Sequence, residues 1–206
     1  MKVAILGGTG AMGSALAMQL SKKHSVEIGS RDPAKAKTAA ARIEGALGDT
    51  NEAAARWCDA ALAAVPFSAV GSLRGLADGL TGKLVVSLVN PLKMEGSVLQ
   101  YASVEKSAAE TIAQALPGSS VSTAFNNVPA SLIRRPPQIG LHILVAADSR
   151  EAYVRTAELV RSVPGMLPLY AGPLSQAESI ERLTVLVLNA ARLNGGSGYA
   201  PYFVSK

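Results

Sequence analysis

The sequence predicts an α/β fold: a doubly wound parallel sheet with a small C-terminal α/β extension. Three observations carry that expectation. Short apolar runs alternate with stretches of helical spacing along most of the 206 residues. Gly8-x-Gly10-x-x-Gly13 falls where the first apolar run gives way to the first helical stretch. The run Lys83–Asn90 is nearly continuous in apolar residues, as a strand buried on both faces of a parallel sheet must be.

In chain order, Lys2–Leu6 reads as a strand, and Met12, Ala15, Leu16 and Leu20 mark the helix behind the glycines. Ser25–Ile28 is the second strand. Asp32 is placed to cap the next helix, Ala34–Ile43, with Pro33 at its first position. A helical segment, Asn51–Trp57, leads into a strand over Asp59–Val65 that Pro66 ends. Phe67–Leu80 reads as a crossover helix bent around Gly71 and Gly75. Lys83–Asn90 follows as a strand, Gly96–Ala102 as irregular chain, Ser107–Leu116 as a helix and Ser120–Asn126 as a strand.

The polar, proline-rich stretch around Arg134-Arg135-Pro136-Pro137 marks a boundary, dividing the chain into residues 1–133 and a smaller unit, 134–206. The second unit offers a strand (Ile139–Ala146), a helix (Arg150–Ser162), an extended piece through Tyr170 and a last helix from near Ser175. Leu183–Leu193 is apolar on nearly every side and must be broadly buried. So short a chain has little protein to cover it, so a homodimer is expected.

Composition narrows the function. Apolar residues make up 49% and charged residues 17%, a globular balance, and the apolar stretches fall short of the roughly 20 residues that span a membrane. Gly7 interrupts the first apolar run before a signal-peptide core forms. The one cysteine, Cys58, excludes an internal disulfide or a cysteine metal cluster and fits a reducing cytoplasm. A net charge of +5 suggests anionic partners, but there is no run of five basic residues and only 4% aromatics. That points away from nucleic acid and toward an anionic small molecule.

The glycine motif says which kind. Gly8 permits a sharp turn, Gly10 lets backbone approach a pyrophosphate and Gly13 lets helix and strand pack closely. Thr9, Ala11 and Met12 complete a loop whose helix N-terminus faces the anion. A site for NAD usually has an acidic residue at the end of the second strand, about 20 residues beyond the glycines. Here Ser30 and Arg31 stand there, and Asp32 is accounted for as a cap. Lys35 lies in the first helical turn, where the helix dipole disfavours a cation unless an anion is nearby. Ser30, Arg31 and Lys35 therefore favour NADP and its 2′-phosphate. Ligands of such sheets lie beyond the carboxyl ends of the strands, which gathers Gly8–Met12, Ser30-Arg31, Val65-Pro66, Asn90-Pro91 and Asn126–Ala130 along one edge.

No catalytic or metal-binding set is apparent. The two histidines are His24, in a turn, and His142, inside an apolar strand, and neither has an obvious partner. Most nicotinamide-dependent conversions of small substrates need an acid or base. Hydride exchange between two organic cofactors needs mainly that they be stacked and oriented.

Gly7–Gly13, Gly29-Ser30-Arg31, Lys35, Val65-Pro66, Lys83–Ser87, Ala124–Ala130, Ala171–Ser175 and Leu183–Gly195 together resemble the NADPH-dependent reductases of coenzyme F420, a deazaflavin. The resemblance spans essentially the whole chain. It implies a Rossmann-type NADP domain and hydride exchange between the nicotinamide and the deazaflavin. It places Thr9–Met12 at the pyrophosphate and Ser30, Arg31 and Lys35 at the 2′-phosphate. Val65, Asn90 and Ala130 fall toward the nicotinamide, and Asn126, Val128 and Pro129, with the C-terminal glycine-rich loop, against the deazaflavin. Some members carry His-Thr-Ile-Pro-Ala where this chain has Asn126-Asn-Val-Pro-Ala130, and an asparagine does not titrate near neutrality. The reductase domain of membrane metalloreductases, which uses a flavin, shares parts of the pattern. The alternatives are an NADPH-dependent reductase of a flavin or a small carbonyl or imine, and a non-catalytic NADP-sensing module.

Overall fold

The computed structural model describes residues 1–102, 105–196 and 198–204. Its centre is an eight-stranded sheet in the order β10-β9-β8-β5-β4-β1-β2-β3. The strands are β1 (Lys2–Leu6), β2 (Ser25–Ser30), β3 (Ala46–Thr50), β4 (Ala60–Ala63), β5 (Leu84–Ser87), β8 (Ser120–Thr123), β9 (Leu141–Ala147) and β10 (Met166–Gly172). From β3 to β8 every pairing is parallel; β9 runs antiparallel to β8, and β10 parallel to β9. The order reverses at β1, which lies between β2 and β4. In doubly wound sheets that reversal opens a crevice at the carboxyl ends of the strands.

Helices cover both faces: α1 (Ala11–Leu20), α2 (Pro33–Ala40), α3 (Asn51–Trp57), α4 (Ala77–Leu80), α5 (Ala108–Ala115), α6 (Ala130–Arg134), α7 (Arg150–Arg161) and α8 (Ala177–Leu193). Alternate residues of the strands feed two cores. Val3, Ile5, Ile28, Leu62 and Val86 pack with Leu16 and Leu20 of α1 and Leu159 and Val160 of α7. Ala4, Leu6, Ala61 and Val85 pack with Ala54 of α3 and Ile112 of α5. Cys58 sits in the second core, 2% exposed, as a small apolar filler.

The caps follow the sequence. Asp32 Oδ1 accepts the N–H groups of Ala34 (3.0 Å) and Lys35 (3.3 Å), and Pro33 opens α2. Ser107 and Glu110 form a reciprocal capping box on α5.

Several elements depart from the sequence reading. β3 was not expected; it forms the sheet edge, and Gly48 within it lets α2 approach, since a Cβ there would stand 2.4 Å from the Ala36 carbonyl oxygen. The expected crossover helix over Phe67–Leu80 is a 3₁₀ stretch, Phe67–Leu76, followed by the single turn α4. Gly96–Ala102, which the sequence reads as irregular, instead holds the turn and second strand of a hairpin, β6 (Leu92–Glu95) with β7 (Val98–Tyr101), with Gly96 at φ +59°. The last helix is not buried on all sides: Leu186 and Leu193 are 68% and 65% exposed.

Candidate functional site

A cleft of about 700 Å³ opens at the carboxyl ends of β1, β2, β4 and β5. The glycine loop is its floor. Gly7 turns at φ +71°, and the Gly8 N–H donates to the carbonyls of both Ile5 and Gly29, each at 3.1 Å, locking the loop to β1 and β2. A Cβ on Gly13 would stand 2.5 Å from the Cα of Gly8, so helix and loop pack backbone to backbone. Gly10 has nothing within 4 Å of where a Cβ would be, so its open side faces the cleft. α1 has no side-chain cap and no acidic residue in its first turn. Its leading N–H groups thus face the cleft with no acidic side chain on their own turn to occupy them, the arrangement that receives a phosphate.

Thr9, Gly10, Ala11, Met12 and Gly13 line this cleft, with Ser30, Arg31, Val65 and Asn90. Gly8 is buried beneath the loop rather than lining it. Ser30 is 8% exposed, and its hydroxyl accepts the Asp32 N–H at 3.2 Å. Arg31 is exposed beside it. Lys35 lies outside the lining, its ammonium 3.9 Å from the Asp32 carboxylate in an exposed pair, which such pairs hold only weakly.

The Asn126 segment forms a second, smaller cleft with Val128, Pro129 and residues of α8. Phe125, fully buried, takes a left-handed φ of +64° and turns the chain at the end of β8. That turn aims Asn126 inward. Its Oδ1 accepts the Thr123 hydroxyl at 2.7 Å, and its Nδ2 donates to the Val89 carbonyl (3.1 Å) and to Asn90 Oδ1 (3.2 Å). Thr184 of α8 donates to its carbonyl at 2.9 Å. Asn126 therefore joins the two clefts and fixes Asn90. Gly198 of the C-terminal loop lies against Pro129 and Ser131, close enough that a Cβ would stand 2.9 Å from Pro129 Cγ. Ala130 opens α6 and packs partly buried against the first core. Ser197, within that loop, lies outside the described residues.

The hairpin β6–β7 closes the Asn90 end, with Leu92 in the cleft lining. α8 holds it by two polar latches. Asn189 accepts the Leu99 N–H at 2.8 Å and donates to the Leu99 carbonyl at 2.7 Å. Glu181, with no exposed surface, accepts the Tyr101 hydroxyl at 2.8 Å and the N–H groups of Ala108 and Ala109. Burial pushes the Glu181 carboxyl up to about 7, against the pull of its hydrogen bonds. Burial and that carboxylate together raise the Tyr101 hydroxyl well above its usual range.

Sequence reasoning missed Asn51 and Glu52, which line the main cleft. Asn51 directly follows Thr50, the cap of α3, and the end of β3; recognising that strand would have brought it to the same edge. The histidines are elsewhere. His24 sits at the opposite edge of the sheet, between the amino terminus (3.4 Å) and Ser162 (2.7 Å); burial and the neighbouring amino group lower its pKa. His142 packs its ring near Tyr202 and Phe203, with Nδ1 buried and unpartnered. Among the described residues no group of His, Cys, Asp and Glu could hold a metal ion, and no helix is long and apolar enough to cross a membrane.

Fold and cleft together define a dinucleotide-binding domain of the doubly wound class. Residues 2–91 match the family model for NADP oxidoreductase, coenzyme F420-dependent. The F420-dependent NADP reductase of Methanothermobacter marburgensis is 34% identical over 205 residues, covering 92% of each chain. That of Methanocaldococcus jannaschii is 30% identical over 215 residues, covering 96% of each. A crystal structure from Arthrobacter sp. FB24 superposes over the full length of both chains with a TM-score of 0.89 at 24% identity, which speaks to the fold. The chain belongs to the family of F420-dependent NADP reductases.

Proposed function

We propose that this protein transfers a hydride between NADP(H) and the deazaflavin coenzyme F420. The observation that carries the reading is the pairing of an uncapped, acid-free helix N-terminus with Ser30 and Arg31 in one cleft, in a chain similar over 92% of its length to a reductase of that name. The residues fit a 2′-phosphorylated dinucleotide. Gly10 leaves room for a pyrophosphate beside α1, and Ser30 and Arg31 present a hydroxyl and a guanidinium where an acid would repel the phosphate.

In this reading Thr9–Met12 hold the pyrophosphate, and Ser30 and Arg31 the 2′-phosphate, with Lys35 able to swing in from its exposed position. Val65 and Asn90 flank the nicotinamide end, with Ala130 toward the same edge. Asn126, Val128 and Pro129 face the deazaflavin side, where the C-terminal loop packs. Asn126 acts through Asn90, since both ends of its amide are already engaged. The bound cofactors supply the redox chemistry. The protein's part is to align them and exclude water, for which no side-chain acid or base is required.

Residues 134–206 contribute the second cofactor's side of the site and a homodimer interface. The exposed Leu186 and Leu193 of α8 support that interface, being large apolar groups left uncovered in a single chain. The partners are thus NADP(H), a deazaflavin and a second copy. A lone buried thiol suits the cytoplasm.

The test is to mix the protein with NADPH and oxidised F420 and follow the deazaflavin's visible absorbance. Bleaching supports the reading. Bleaching of FMN or FAD with none of F420 overturns it.

A further inference from the structure

Asn51 occupies the point where the ends of β1 and β2 meet. Its Oδ1 accepts the Gly7 N–H at 3.1 Å. The same oxygen fills the space above Gly29, where a Cβ would stand only 2.7 Å from it. The oxygen is thus held from two sides, and flipping the amide would set an NH₂ group against the Gly7 donor. That fixes which end is which. Among the described residues the Nδ2 has no acceptor, and it is not buried: the one buried side-chain nitrogen or oxygen without a partner among them is Nδ1 of His142. Asn51 lines the cleft beside Ser30 and Arg31. An amide with one end fixed and the other open to a cleft is a pre-oriented donor.

We infer that Asn51 both positions the glycine loop and donates Nδ2 to the adenosine ribose–diphosphate portion of the dinucleotide, the part that NADP and NAD share. The inference rests on the dinucleotide reading of the cleft. It also explains why the residue is an amide and not an acid. An aspartate would accept the Gly7 N–H equally well, but would turn a second, negative oxygen toward phosphates.

Asn51→Asp tests this, because it keeps the acceptor for Gly7 and removes the donor. The expected result is an apo melting temperature like that of the wild type, with Kd for both NADPH and NADH raised at least about tenfold. Lowering the pH toward 4 should recover part of the loss as the new carboxyl protonates, which a merely structural defect would not do. Unchanged Kd values, or a loss confined to NADPH, overturn the inference. If Asn51→Asp does not fold, Asn51→Ser shortens the side chain and removes the amide donor, and equal weakening of both coenzymes is again required. A wild-type protein that binds neither coenzyme would sink the dinucleotide reading itself, a result distinct from wild-type binding with an indifferent Asn51→Asp.

Discussion

Glu181 and Tyr101 meet at 2.8 Å between α8 and the hairpin, in a spot with no exposed carboxylate surface. The folded state holds the Glu181 carboxyl up at about 7, against 4.5 ordinarily, chiefly through burial. The protonated form is therefore favoured by folding. Its contribution is fully present below pH 4.5 and is lost as pH climbs through about 7. The shift corresponds to roughly 3 kcal/mol across that window. Denaturant unfolding of wild type and Glu181→Gln between pH 4.5 and 8 should show a clearly flatter profile for the variant. Parallel profiles would disprove the assignment.

Gly10 and Gly13 belong to one motif but do different work. A methyl at Gly13 would drive into the backbone of Gly8, at 2.5 Å from its Cα, so Gly13→Ala should destabilise the fold by about 1–3 kcal/mol. A methyl at Gly10 meets nothing in the protein. Gly10→Ala should keep the wild-type melting temperature and still lose NADPH affinity, because the space it fills is where the backbone must approach the pyrophosphate. Calorimetry with and without NADPH separates the two effects, and full NADPH affinity in Gly10→Ala would contradict the pyrophosphate placement.

Arg31 supplies the exposed cation at the end of β2. Arg31→Ala should weaken NADPH binding by about 1–3 kcal/mol and leave NADH almost untouched. Titration of both coenzymes decides it: equal losses would mean that Arg31 does not read the 2′-phosphate.

Most of the sheet was legible because β1, β4 and β5 are largely apolar and the chain soon after each carries glycine or proline. β3 was hidden for the opposite reason. Ala46-Leu-Gly-Asp-Thr50 lies on an edge, partly wet, and its Gly48 serves the packing of α2 rather than any strand preference. The hairpin was hidden because its exposed face, Lys93 to Ser97, reads as plain loop, while the groups that hold it, Glu181 and Asn189, lie some 80–90 residues on. At the site, the glycine loop, Ser30 and Arg31 could be placed from spacing alone. The direction of Asn126 could not, because it depends on the left-handed turn at Phe125, a residue type that gives no hint of positive φ.

The uncovered face of α8 bears on assembly. Leu186 and Leu193, one and three helical turns along from Leu183, leave a stripe that a second copy would bury. Leu186→Glu should convert a dimer to a monomer in light scattering without lowering the chain's own helix content, since the side chain is 68% exposed in the single chain. A wild-type protein that runs as a monomer at micromolar concentration would refute the homodimer.

Asn126 offers the sharpest separation of positioning from direct contact. Asn126→Asp keeps the oxygen that accepts from Thr123 but sets a carboxylate oxygen against the Val89 carbonyl and Asn90 Oδ1, where the Nδ2 donor now stands. A buried acceptor, the Val89 carbonyl, and a half-buried one, Asn90 Oδ1, would lose their donor, a cost of about 1–3 kcal/mol that should lower the melting temperature by several degrees. The loss should reach Asn90, so hydride transfer at saturating cofactors should fall while affinity for the adenosine half, read with 2′-phospho-ADP-ribose, stays as in wild type. If affinity for that fragment falls equally, the defect has spread through the fold and the bridge from Asn126 to Asn90 is not what orders the nicotinamide end.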